Sequence, residues 1–330
     1  MGSDAKIPPV TPAMTRRKLL YSMGLAAAAI PLGQFLVACG ADGTGGTDNT
    51  GGTDDKTGAD ADVPWATGGT AAMTALATYP DPFAAGLGTT CSLLCEATLG
   101  PCYATTVERE DISEGEPGLP VRIAFLVVDE TCKPIQGASV DIWHCGPDGL
   151  YSGEDASDFC TTGDERARSA RWYRGVQTSD ANGRVFFNTC FPGWYSSRTI
   201  HIHFTVRVNN QEYVTSQLVF DDALNDEIVG TQPLYNTRGP RDTTNATDNV
   251  VSAESAPDYS FQTQRMTDGA MLAWKTLVIR SSLSNASCQL SGNGGGGPGG
   301  PGGPPPGDGG MGPPRGDGGM GPPRGDAGTP

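Results

Sequence analysis

Two histidines one residue apart, His201 and His203, lie inside the apolar run Thr199-Ile200-His201-Ile202-His203-Phe204-Thr205-Val206. Side chains alternate faces along a β-strand, so both imidazoles leave one side and Ile202 the other. A strand carrying them is a two-toothed metal clamp. The chain has only 3 histidines in all, so two spent at this spacing define the chemistry to look for. Tyr151 and Tyr195 add two phenols, which makes four metal-seeking side chains with one nitrogen or oxygen each to offer.

Those four groups need elements to carry them, and the pattern between Val121 and Phe220 is mostly strand. Val121–Val128 is apolar and β-branched, Ser139–Trp143 alternates, and Arg184–Asn188 is aromatic and branched. Thr199–Val208 alternates with the histidines on one face, and Tyr213–Phe220 reads similarly. Turn signals separate them at Lys133-Pro134, Gly146-Pro147-Asp148-Gly149, Asp180-Ala181-Asn182-Gly183, Pro192-Gly193 and Asn209-Asn210. Short strands so spaced predict an all-β fold, an antiparallel β-sandwich. Helix is sparse: Asp222–Val229 is a candidate, and Met271–Ile279 fits helix or strand. The charged segment Ser152–Arg174 is long for a connection and leaves directly after Tyr151, so it is expected to cover or border the site.

The two ends differ from this body. Arg16-Arg17-Lys18, an apolar stretch and Leu36-Val37-Ala38-Cys39 form an export segment over 1–39. The paired arginines resemble a twin-arginine signal and Leu-Val-Ala-Cys a lipobox, which predicts a lipid on Cys39 and a periplasmic or cell-surface protein held at a membrane. The apolar core is too short to span a bilayer and is broken by Pro31 and Gln34. Residues 40–64 are Gly, Thr, Asp and Ala, as expected of a flexible tether. Residues 291–330 read as a disordered Gly/Pro tail in which Gly-Asp-Gly-Gly-Met-Gly-Pro-Pro-Arg occurs at 307–315 and again at 316–324. That leaves 65–290 for one folded domain.

Eight of the 9 cysteines follow Cys39, and an even number in an exported chain predicts up to four disulfides of unreadable connectivity. The formal charge of −15 argues against nucleic acid as a partner.

Taken together, Asp141-Ile142-Trp143-His144, Gly149-Leu150-Tyr151-Ser152, Thr178-Ser179-Asp180 with Gly183, Pro192-Gly193-Trp194-Tyr195, Arg198 and His201-Ile202-His203 resemble the intradiol ring-cleavage dioxygenases. The resemblance runs from about Leu99 to Phe220. It implies a β-sandwich, non-haem Fe(III), and insertion of both atoms of O2 into an aromatic 1,2-diol. The ring is cut between its two hydroxylated carbons to a muconate-type diacid.

Carried over residue by residue, the resemblance assigns the iron ligands to Tyr151, Tyr195, His201 and His203. It casts Tyr195 also as the ligand that the diol displaces and that takes a substrate proton. A free phenol ionises near pH 10, but a trivalent ion beside it holds the oxygen as an anion. The resemblance further places Arg198 where developing negative charge needs support and Gln217 beside the substrate, both as catalytic and substrate-binding residues. It puts Leu99 and Pro101, in Leu99-Gly100-Pro101-Cys102-Tyr103, at the substrate mouth. The sequence departs from the family at Cys102 and at Thr199-Ile200. The family's dimerising helical region is not evident, so the oligomeric state stays open, as does the choice of diol.

Two rivals remain at this point. A non-enzymatic prealbumin-like surface module shares Pro134–Val140, Asp180 with Gly183, and Pro192–Tyr195, but has no need for the histidines and Tyr151 to meet. A zinc hydrolase would use the same histidines, yet zinc sites recruit His, Cys or carboxylates rather than two phenols. His144, following Trp143 within a strand, reads as structural.

Overall fold

β-Branched and aromatic residues at alternating positions pleat readily, and among the described residues they build eight strands. These are β1 (Pro120–Asp129), β2 (Ser139–Trp143), β3 (Arg174–Thr178), β4 (Arg184–Cys190), β5 (His201–Val208), β6 (Gln211–Val219), β7 (Gln262–Arg265) and β8 (Met271–Ile279). Four short helices join them: α1 (Asp158–Thr161), α2 (Glu165–Ser169), α3 (Asp222–Thr231) and α4 (Ala256–Tyr259). The computed structural model describes residues 63–290 and residue 292. The expected export segment with Cys39 and the Gly/Pro tail lie outside the described residues, as does most of the expected tether.

The strands form two four-stranded sheets, ordered β4-β1-β8-β7 and β3-β2-β5-β6. Their inner faces meet through Ile123 and Phe125 of β1, Phe187 of β4, Leu277 of β8, Ile142 of β2, Ile202, Phe204 and Val206 of β5, and Leu218 of β6. Each such side chain contributes about 1.5–3 kcal/mol by leaving water. The β-sandwich expected from the sequence is thus present, and the second sheet is antiparallel throughout.

The first sheet departs from a purely antiparallel arrangement, because β1 and β8 run parallel from Val121↔Met271 to Asp129↔Ile279. That placement explains why Met271–Ile279 fits two readings: a strand covered on both sides carries a near-continuous apolar run without the alternation that identifies strands. Edge strands β3 and β7 escape the sequence pattern for the opposite reason, being largely polar. Helix α3 forms where Asp222–Val229 predicts it, and Asp221 caps it by accepting from the backbone of Ala223 and Leu224.

Among the described residues three disulfides form, Cys91–Cys132, Cys95–Cys288 and Cys102–Cys160, while Cys145 and Cys190 are free and buried. The expectation of up to four is therefore reduced to three. Cys145 Sγ faces the carbonyl of Gly193 and Cys190 Sγ that of Glu116, so the two free thiols have separate partners.

Cys95–Cys288 joins residues 193 apart in sequence, closing almost the whole domain into one loop. Replacing both by serine is expected to remove about 2–5 kcal/mol from the unfolding free energy, read by denaturant titration of the oxidised protein.

Candidate metal centre

The candidate site lies on the outer face of the second sheet, not in the core between the sheets. Strand register puts Trp143 of β2 opposite both Arg174 of β3 and His203 of β5, and His203 opposite Gln217 of β6. Directly paired residues share a face, so Arg174, Trp143, His203 and Gln217 form one row across the sheet. His201 stands on the same face one step along β5, while Ile202 between them enters the core. Trp143 stacks flat on the His203 ring, centroids 4.9 Å apart and planes 11° from parallel. Tyr103 packs edge-on against the far side of that pair, 4.9 Å from Trp143.

Two loops carry the tyrosines over this row. Tyr151 follows the turn Gly146–Gly149, and Tyr195 follows Pro192-Gly193. The turns pack backbone to backbone: Gly193 N donates to Gly146 O at 3.0 Å, and a Cβ on Gly193 would collide with the carbonyls of Pro147 and Gly146. Only glycine permits that approach. Tyr151 N in turn donates to Cys160 O at 3.0 Å, so the segment Ser152–Arg174 borders the site and holds Tyr151 from behind.

The donor atoms then converge. His201 Nε2 lies 3.1 Å from His203 Nε2, 3.1 Å from Tyr195 Oη and 3.4 Å from Tyr151 Oη. Tyr151, His201 and His203 are buried and Tyr195 is half-buried.

Protonation sharpens the picture. Burial, followed by the Arg198 charge, holds His201 neutral, its pKa well below 6.5. His201 Nδ1 sits 2.6 Å from the Thr199 carbonyl, which can only accept, so Nδ1 carries the proton and Nε2 is a bare lone pair. His203 is likewise held neutral by burial. Three groups therefore crowd one lone pair, which cannot accept from all of them.

Burial also pushes the phenols up, Tyr195 to about 12 and Tyr151 well above 10. The two phenols are therefore neutral at pH 7 unless a cation joins them. Separations of 3.1–3.4 Å are those of ligand atoms sharing one ion at about 2 Å. A histidine that gives its other N–H to a backbone carbonyl is the usual arrangement of a metal ligand. The residues therefore fit a metal ion, and the anionic oxygens they would supply suit a hard, highly charged one. Among the described residues no three His, Cys, Asp or Glu side chains gather to hold a metal, so a cage of the ordinary zinc kind is not formed from them.

The remaining candidates frame this centre. Arg198 Nη2 donates to Gln217 Oε1, and Gln217 Nε2 donates to Thr98 O at 3.1 Å, directly before Leu99. Gly100 has φ +75°, and a Cβ there would sit 3.1 Å from His203 Cε1, so Leu99 and Pro101 flank the ring of a proposed ligand. Both are exposed, Leu99 at 41%. His144 stays away from the centre, bonded to Cys145 O and Thr189 Oγ1 at 2.8 Å each and stacked on Tyr173.

Asp248 is the residue the sequence does not announce. Fully buried, it accepts from Arg198 Nε at 3.2 Å, Thr199 N at 2.9 Å and Val250 N at 2.7 Å. It anchors the strand start that presents His201. Its signal in sequence is weak, one acid within a polar stretch far from any motif.

Comparison with known proteins gives the family of the chain. A family described as "Dioxygenase" matches residues 97–264, which include every residue of the centre. The chain is 28% identical over 120 residues to chlorocatechol 1,2-dioxygenase of Pseudomonas putida, covering 31% of this chain and 42% of that protein. It is 29% identical over 154 residues to catechol 1,2-dioxygenase 1 of Acinetobacter lwoffii, covering 37% and 47%. The chain thus spans somewhat under half the length of these relatives. A solved structure, the intradiol ring-cleavage dioxygenase from Tetranychus urticae, superposes with a TM-score of 0.51 at 29% identity, covering 58% of this chain and 95% of that one.

Asp248→Ala would strand a largely buried guanidinium and the backbone N–H groups of Thr199, Val250 and Val251. It is expected to cost about 3–5 kcal/mol, measurable as a fall in the denaturation midpoint at unchanged slope.

Proposed function

Because the chain belongs to the intradiol ring-cleavage dioxygenase family, we propose that it cleaves an aromatic 1,2-diol between its hydroxylated carbons, using O2 and a non-haem ferric ion. The observation that carries this reading is the convergence of Tyr151 Oη, Tyr195 Oη, His201 Nε2 and His203 Nε2 in one buried cluster. Those four atoms would hold the ion. Bound there, ferric iron would supply a Lewis acid that favours the ionised diol and makes its ring reactive toward O2.

The chain's own residues do the rest. Tyr195, the less buried of the two phenols, is the group that would yield its place to substrate, its oxygen taking one of the two diol protons while the other leaves to solvent. Tyr151 and the histidines stay fixed, the first by its backbone bond to Cys160 O and His201 by Thr199 O. Arg198 stands beside Tyr195, steadied by Asp248, where its charge supports an oxyanion developing on the ring. Gln217 and Thr98 fix the direction from which Leu99 and Pro101 flank the diol. The export segment, a lipid on Cys39 and a place outside the cytoplasm complete the proposal, and the disulfides suit such a compartment.

Ferric-loaded protein is expected to be wine-red from phenolate-to-iron charge transfer. Tyr151→Phe and His203→Ala should each lose iron and colour together, and full iron content in either variant would remove that residue from the ligand set. Arg198→Ala should keep the colour and lower kcat by about 100-fold or more; unchanged turnover would end its assigned role. The reaction itself is tested by oxygen uptake across catechol, protocatechuate, hydroxyquinol and larger diols. One O2 consumed per diol with a muconate-type diacid as product supports the proposal. No uptake by iron-replete protein, or cleavage outside the diol, contradicts it.

A further inference from the structure

Arg174 opens β3 at the end of the row that runs through Trp143 and His203, and it is 0% exposed. Its Nε donates to Ser152 O and its Nη2 to Cys102 O, each at 2.7 Å, while Nη1 is buried with no hydrogen-bond partner among the described residues. Two other well-covered guanidinium groups have carboxylates: Arg198, half-buried, pairs with Asp248, and the buried Arg241 with Asp222 and Asp226. The hydrogen bonds of Arg174 go only to neutral carbonyls. Asp155 and Asp141 act on it only at a distance, with no hydrogen bond to it, so this buried cation keeps an unpaired N–H and is costly to bury unless a further anion lies close by.

The group beneath it is Tyr151. The guanidinium carbon lies 5.8 Å from the centroid of that ring. Its two hydrogen bonds straddle the same residue: Ser152 follows Tyr151, and Cys102 is disulfide-linked to Cys160, whose carbonyl receives Tyr151 N. Tyr195 has a different setting, half-buried and next to Arg198, whose charge is already answered by Asp248.

We propose that Arg174 is a positioning residue for the metal centre, holding Tyr151 as the phenolate that keeps its place when substrate displaces Tyr195. The inference rests on the ferric reading above and gives its two phenols unequal support. Arg174 braces the backbone on both sides of Tyr151 and lays its guanidinium over that ring, whereas Tyr195 has no such brace.

The test compares Arg174→Gln with Arg174→Lys in the full chain loaded with ferric iron. The readouts are the visible charge-transfer maximum and the rate at which a chelator removes iron. A positive charge near a phenolate lowers its filled orbitals, so removing it moves the band to longer wavelength. Arg174→Gln is expected to show that shift and to lose iron about 10–100-fold faster. Arg174→Lys is expected to return the band to its original position. A folded Gln variant with the original band and iron retention overturns the proposal, as does a Lys variant whose band departs from the original. If the Gln variant does not fold, the position of the Lys band decides alone. Wild-type protein that takes no iron would remove the ferric reading and this proposal with it, whereas coloured wild type beside indistinguishable variants removes this proposal only.

Discussion

Two phenols and two imidazoles turned toward one another in a buried cluster are a poor arrangement for a protein without a cation. The lone pair on His201 Nε2 is contested by His203 Nε2 and by both phenol oxygens, within 3.1–3.4 Å. Burial keeps every one of the four neutral. A shared trivalent ion would reverse each penalty at once: the lone pairs would gain an acceptor, and the phenols would ionise because their charge would be answered. The remaining structure reads as the scaffold needed to impose that convergence.

The scaffold works by dividing labour between sheet and loops. The second sheet supplies the histidines, whose spacing along β5 is rigid, and its inner face supplies the core that fixes the strand. Loops supply the tyrosines, and loops alone would be imprecise. Precision comes from the glycine contact between two turns, from the Cys102–Cys160 bridge behind Tyr151, and from Asp248 gripping the start of β5. The same division explains why the mouth can vary without touching the centre. Leu99 and Pro101 sit on a short segment laid over His203, where, under the proposed function, substitutions would alter which diol fits.

What could be read from the amino acids alone follows from how local each signal is. The histidine pair declares itself because period-two alternation is a property of one strand. The sandwich is legible for the strands that alternate, and fails for β8, whose two covered faces erase the alternation, and for the polar edges β3 and β7. Tyr151 and Tyr195 have no local signal and depend on the ordered set of motifs around them. Asp248 and Arg174 are invisible for a related reason. One lies in a polar stretch and the other closes a charged loop, and their roles arise only when the chain folds and removes them from water. The disulfide partners are equally a product of the fold, so the count could be bounded while the pairs could not be read.

The central claim concerns where an ion sits, so the most direct measurement is anomalous X-ray scattering from crystals of the ferric-loaded protein, recorded on both sides of the iron absorption edge. The account predicts one iron peak within about 2 Å of Tyr151 Oη, Tyr195 Oη, His201 Nε2 and His203 Nε2 together. An iron peak elsewhere, a peak from another metal in the cluster, or a cluster closed by hydrogen bonds with no peak at all would contradict it.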